Sequence, residues 1–211
     1  MTEDQRIIKV DLAMAYLGST ATTYLADPYQ ALCLTAIEGY DQGYGGARHH
    51  HAYLGGLAVH VADVVRRCLE LSGNTQFIPS PSARTIDLDV LLTAAYWHDY
   101  EKLSEYAWKA TPGPFIGEFE TSPDGCIEVT NYAKTTGHVV GSTYALLQAI
   151  HTLRARPPII TNKPKLPKLD AILHCMLSHH GRKEWGSPVE PTTNEAWILH
   201  SADMLSSRGA E

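Results

Sequence analysis

The chain has 211 residues, of which 44% are hydrophobic and 19% charged, with a formal net charge of −6. That length suits one domain, and the acidic balance argues against a stand-alone binder of long duplex DNA or RNA, which would be basic. No stretch reads as a signal peptide or a membrane span. Cys33, Cys68, Cys126 and Cys175 show no paired spacing, so buried free thiols in a reducing, cytoplasmic compartment are expected.

In chain order, apolar residues between Gln5 and Leu17 predict a first helix that ends near Gly18. Pro28 opens a second helix through Ala31, Leu32, Leu34 and Ile37, and the glycine-rich stretch from Gly39 to Gly46 breaks it. Arg48, His49, His50 and His51 follow. The spacing Leu57, Val61, Val64, Cys68, Leu71 is helical and stops at Gly73 and Asn74, with His60 on the flank of the stripe.

Pro79 and Pro81 mark a loop. The run from Asp87 to Trp97 is apolar on almost every side, which suits a central buried helix, and it delivers His98 and Asp99 at its end, with Lys102 a turn later. Residues 112–133 change character. Phe115–Glu120 and Cys126–Thr130 flank Ser122-Pro123-Asp124-Gly125, as in a β-hairpin inserted into a helical protein.

Gly137-His138 opens a further helix through Val139, Val140, Tyr144, Leu147 and Ile150. A proline-rich loop over 155–168 follows, and Arg154, Arg156, Lys163, Lys165 and Lys168 form the one basic cluster. Leu169–Leu177 is helical and ends at Ser178-His179-His180-Gly181. Thr192 and Glu195 read as a capping box for a last helix through Trp197, Ile198, Leu199 and Leu205, which carries Asp203. The expected class is mainly α.

Eleven histidines, most of them clustered, are the outlying feature of the composition. The candidate ligands His60, His98, Asp99, His138, His179, His180 and Asp203 lie on, or at the ends of, different predicted helices, as a metal site inside a helical bundle requires. Imidazoles and carboxylates suit Mn, Fe, Zn, Co or Ni. The set exceeds one tetrahedral site and would supply two neighbouring metals sharing a carboxylate. Arg48 and His49–His51 either reach a phosphate or form a solvated loop, and Arg182, Lys183 and Trp185 either bind phosphate and stack a base or cover the end of the bundle.

This pattern resembles the HD-domain superfamily of metal-dependent phosphohydrolases, and more narrowly the HD domain of the YhaM-type 3′→5′ exoribonucleases. The matching stretches are His49-His50-His51 with Gly55-Gly56-Leu57 and His60, Trp97-His98-Asp99 with Lys102-Leu103, and Gly137-His138. Leu177-Ser178-His179-His180-Gly181 with Glu184-Trp185-Gly186-Ser187-Pro188 follows, then Glu195-Ala196, Leu199-His200 and Asp203. The resemblance implies an HD-domain helical bundle over residues 49–211, with 1–48 as a helical segment packed on it.

It also implies that His60, His98, Asp99 and Asp203 hold a first divalent metal. Asp99 then bridges to a second, completed by His138, His179 and His180. His98, Asp99 and Lys102 take the catalytic roles, Lys102 meeting substrate phosphate, and a metal-activated water attacks phosphorus in a nucleotide or short single-stranded oligonucleotide.

The chain departs from the family pattern at Tyr100-Glu101, where Glu101 takes the place of a glycine. That glutamate either adds negative charge beside the phosphate site or turns outward. Full-length YhaM enzymes carry an OB-fold ahead of the HD domain, and residues 1–48 read as helical instead. Two rival readings follow: a nucleoside mono- or triphosphate phosphohydrolase, and a non-catalytic nucleotide sensor. The sequence leaves homo-oligomerisation open.

Overall fold

A capping box starts the first helix. The Thr2 hydroxyl accepts the Gln5 N–H at 3.3 Å and the Gln5 side chain accepts the Thr2 N–H at 2.9 Å. In the computed structural model, which describes residues 1–47, 51–74, 85–109, 126–155 and 166–208, this helix (α1, Glu3–Tyr24) runs past Gly18 rather than ending there. A Cβ at Gly18 would meet nothing within 4 Å. The glycine therefore packs no worse than alanine would. Its propensity cost of about 1 kcal/mol is offset by Thr20 and Ala21, which the extended helix buries beside Leu17.

Pro28 precedes α2 (Tyr29–Ala36), which buries Tyr29, Leu32, Cys33 and Ala36. A short 3-10 turn at Tyr40–Gln42 and the following glycines lead to α3 (Gly56–Asn74). In α4 (Leu88–Trp97) every side chain from Val90 to Trp97 is buried, as its unbroken apolar run requires. Asp87 caps this helix by accepting the Asp89 and Val90 N–H groups at 3.1 and 3.4 Å. Lys168 donates to Asp87 and Asp89 at 2.9 and 2.7 Å, which fastens the start of α4 to the segment before α8.

After α5 (Lys102–Glu105) come β1 (Tyr106–Lys109), β2 (Cys126–Val129) and α6 (Asn131–Thr135). The strands pair antiparallel, Tyr106 opposite Val129 and Lys109 opposite Cys126. The second strand falls where the sequence pattern puts it. Its partner is Tyr106–Lys109, while Phe115–Glu120 and the Ser122–Gly125 turn lie outside the described residues. The segment expected to close the hairpin up to residue 133 instead turns helical at Asn131.

The remaining helices are α7 (His138–Ala155), α8 (Leu169–Ser178) and α9 (Asn194–Arg208). α9 starts two residues after Thr192, and Thr193 accepts the Ala196 N–H at 3.2 Å. Glu195 does not complete a capping box with Thr192; it accepts the Asp87 N–H at 3.0 Å, tying α9 to α4. Thr192 is engaged elsewhere, its N–H 3.1 Å from His174 Nε2.

α4 lies at the centre, packed on α2, α3, α7, α8 and α9, and α3 packs on α1 and α9. One cluster of buried side chains extends from Val10 in α1 to Ala202 in α9. Cys33, Cys68 and Cys175 are buried free thiols, and Cys126 is a partly exposed one. Among the described residues no helix is long and apolar enough to cross a membrane.

Candidate metal centre

α4 ends at Trp97, and His98 follows as its cap with helical backbone angles. The chain then bends: Tyr100 N–H donates to the Trp97 carbonyl and Lys102 N–H to that of Asp99. The bend resolves how adjacent side chains can serve one site. On a straight helix His98 and Asp99 would diverge, yet here His98 Nε2 lies 3.4 Å from Asp99 Oδ2. Both side chains are fully buried or nearly so.

Asp99 divides its oxygens. Oδ2 faces His60 Nε2 at 3.0 Å and Lys102 Nζ at 2.6 Å, besides His98. Oδ1 faces His138 Nε2 at 3.3 Å and His179 Nε2 at 3.7 Å. Asp203, from α9, brings Oδ1 to 3.2 Å from His60 Nε2 and 4.0 Å from His98 Nε2. His138 and His180 approach through their Nε2 atoms at 3.2 Å.

The result is two compact donor groups, His60–His98–Asp99–Asp203 and His138–His179–His180, each with its candidate ligand atoms within 4.8 Å of one another. α3, α4, α7, α8 and α9 thus each supply at least one of these side chains, directly or from the turn at the helix end.

The far side of each ring is held. His98 Nδ1 donates to the Ala95 carbonyl at 2.8 Å, His179 Nδ1 to that of Met176 at 2.6 Å and His180 Nδ1 to that of Trp185 at 3.0 Å. His60 Nδ1 is 3.1 Å from Ser206 Oγ. A carbonyl can only accept, so the three carbonyl contacts put the proton of His98, His179 and His180 on Nδ1 and leave the Nε2 lone pair facing inward. The Nε2 atoms of His60, His98 and His179, and Asp99 Oδ2, are buried without a hydrogen bond of good geometry among the described residues. Buried polar atoms are seldom left so. Inward lone pairs beside ionised carboxylates form a donor set that fits divalent transition metals.

Charge states agree with that fit. Burial opposes ionisation of Asp99, but Lys102, His98 and the His60 contact outweigh it and hold the carboxyl well below the usual range. Asp203 is likewise lowered against burial, chiefly by His60. Burial, then His180 and His98, push His179 well below the ordinary imidazole value, and burial and His138 lower His180. Metal-ligating imidazoles must be neutral. Burial also disfavours the charged form of His60, yet Asp203 and Asp99 outweigh it and raise its pKa, so a proton and a metal ion compete for that nitrogen.

Lys102 sits at the edge of the cluster, donating to the Gly45 carbonyl at 3.0 Å as well as pairing with Asp99. Burial works against its charge, but Asp99 and Asp203 raise its pKa. Glu101, next to Lys102 in the chain, is half-buried beside α7. Its backbone N–H donates to Ser142 Oγ at 3.0 Å, and a Cβ at Gly141 would run into the Tyr132 hydroxyl and close on the Glu101 side chain.

His51 is 9% exposed, with φ of 57°. Its ring centroid lies 5.5 Å from that of His60, and burial and His60 push its pKa down to about 3. Its carbonyl presses on Gly56, where any Cβ would collide with it. Arg48, His49 and His50 lie outside the described residues. Arg182 and Trp185 stand on the turn after α8, the guanidinium carbon 5.2 Å from the centre of the indole.

One residue of the site carries no local signal in the sequence. Glu105 accepts the His138 backbone N–H through Oε1 at 2.6 Å, and its Oε2 holds His138 Nδ1 at 2.9 Å. The two residues are 33 positions apart. Neither periodicity nor motif links them, and only the packing of α5 against α7 brings them together.

A helical bundle with a buried His/Asp cluster at its centre defines the class of this chain. Its relatives are YhaM-type proteins, in keeping with the motif order. The chain is 29% identical over 161 residues to a protein named 3′-5′ exoribonuclease YhaM from Shouchella clausii, covering 76% of this chain and 40% of that one. It is 29% identical over 161 residues to the protein of the same name from Bacillus subtilis, covering 76% and 41%. To that of Listeria welshimeri it is 27% identical over 158 residues, covering 75% and 40%. The chain thus spans about two fifths of the length of the curated relatives it matches. No family model matches it, and no solved structure matches it.

Proposed function

We propose that the chain is a metal-dependent phosphohydrolase of the HD type that cleaves a phosphodiester in a nucleotide or short single-stranded oligonucleotide. One observation supports this above the rest. The Asp99 carboxylate faces a histidine group through each oxygen, and the buried Nε2 atoms of His60, His98 and His179 have no hydrogen bond among the described residues. The name carried by the relatives adds RNA as the polymer to test first.

In this reading His60, His98, Asp99 and Asp203 hold one divalent ion, and Asp99, His138, His179 and His180 a second, drawn from Mn, Fe, Zn, Co or Ni. Such ions supply Lewis acidity toward a phosphoryl oxygen and lower the pKa of water. The chain's own groups orient the rest. The Nδ1 contacts fix ring direction, and Lys102 offers its ammonium to a phosphate oxygen as a point charge beside Asp99. Arg48 and His51 ahead of α3, and Arg182 and Trp185 after α8, are the further substrate contacts. Residues 49–211 form the hydrolase unit, with 1–48 as a helical segment on it, and the buried free thiols suit a reducing, cytoplasmic setting.

The test is a screen of purified protein, loaded with one metal at a time, against short single-stranded RNA and DNA and against nucleoside mono- and triphosphates. Mononucleotides released from the oligomers are expected, with Asp99→Asn inactive and depleted of metal. Turnover confined to mononucleotides would replace this reading with the nucleotide phosphohydrolase. Tight nucleotide binding without turnover under every metal would replace it with the non-catalytic nucleotide sensor.

A further inference from the structure

The turn after α8 is built more firmly than a surface loop needs. Trp185 N–H donates to the Arg182 carbonyl at 3.0 Å, Gly186 N–H to that of Lys183 at 3.0 Å and Ser187 N–H to that of Arg182 at 3.2 Å. Gly181 and Gly186 adopt φ of +87° and +97°, which glycine alone takes freely. At Gly181 a Cβ would collide with the His200 ring, so the turn lies directly on α9.

This turn presents aromatic surface to solvent. Trp185 is 50% exposed and Trp197 53% exposed. Between them lies His200, its ring 6.2 Å from Trp185 in a stacked arrangement and 5.9 Å from Trp197 edge-on. Arg182 adds a guanidinium over the indole of Trp185.

The group is wired to the candidate metal centre through main-chain atoms. His200 Nδ1 donates to the His179 carbonyl at 2.8 Å, and the Trp185 carbonyl accepts from His180 Nδ1 at 3.0 Å. The residue that exposes the indole is therefore also the one that orients a candidate ligand imidazole. A flat π-surface with a cation beside it, next to a centre suited to phosphate, matches a nucleotide better than it matches a bare phosphoester.

We propose that Trp185, supported by His200 and Arg182, is a nucleobase-stacking platform for the nucleotide whose phosphate occupies the candidate metal centre. This rests on the phosphohydrolase reading for the position of the phosphate, and it adds recognition of the base. Stacking tolerates every base, so the platform gives affinity without sequence preference.

Calorimetric titration of the full chain, with Mn²⁺ present, compares AMP with ribose 5-phosphate, which carries the same phosphate and no base. Wild type is expected to bind AMP about tenfold tighter, the scale of one base–aromatic stack. Trp185→Ala should lower AMP affinity about tenfold, to the level of ribose 5-phosphate, and Trp185→Phe should retain most of the preference. Equal weakening of both ligands in Trp185→Ala, an unchanged AMP preference, or no AMP binding by wild type overturns the proposal. A preference for AMP that depends on Trp185 in a protein unable to hydrolyse oligonucleotides would sustain the platform and overturn the hydrolase reading alone.

Discussion

Glu105 shows how one carboxylate can serve both a helix and a candidate ligand. Through one oxygen it satisfies the first N–H of α7, which has no partner within the helix, and through the other it fixes the His138 ring. His138 then directs Nε2 at Asp99 and at His180. Carboxylates behind metal-ligating imidazoles typically contribute 10- to 100-fold in metal affinity, so a loss of about that size is expected for Glu105→Ala. Glu105→Gln, which keeps an acceptor for the backbone N–H, should lose less. Competition of each variant with a chromogenic chelator measures the loss, and a Glu105→Ala protein with wild-type affinity would remove the residue from the site. At the same scale, Gly141 leaves room on α7 for the Tyr132 hydroxyl, beside which the Glu101 side chain packs.

Two glycines show opposite logic at the scale of an element. Gly18 lies inside α1 with nothing near its missing side chain. Gly56 opens α3 against the His51 carbonyl, with no space for a Cβ. Gly18→Ala should therefore raise stability by about 0.5–1 kcal/mol, the propensity difference in a helix interior. Gly56→Ala should lower it by about 1–3 kcal/mol, as overpacking does. It should also disturb His51, whose ring rests near His60. Urea unfolding of the two variants gives both signs, and a neutral Gly56→Ala would mean that the loop ahead of α3 yields easily. α4 is read the same way. Its apolar surface on all sides commits it to the centre of the bundle, and its last turn then has to deliver His98 and Asp99 into the interior.

For the whole molecule, the candidate ligands bind the bundle together. They come from α3, α4, α7, α8 and α9 or the turns that end them, so an ion held there would contact elements from Gly56 to Arg208. A ligand present at a hundred times its Kd stabilises the folded state by about 2.7 kcal/mol. Stripping metal with a chelator should lower the melting temperature, and adding Mn²⁺ or Zn²⁺ back should restore it, as followed by differential scanning calorimetry. A melting temperature indifferent to both would count against any ion bridging these helices. The order of the candidate ligands, the helices that carry them and the buried character of α4 were legible in the sequence. Each depends on the 3.6-residue period, on capping and turn residues, and on ligand types recurring at helix ends, all of which are local properties of the chain. Only the tertiary structure decided how Asp99 divides its oxygens, that Glu105 stands behind His138, that Glu195 reaches across to Asp87, and that Tyr106–Lys109 is the strand beside Cys126–Val129. These pairings join positions up to 108 residues apart. They follow from which faces the helices bury against one another, a choice settled by the packing of the whole core and not by the residues nearest each site.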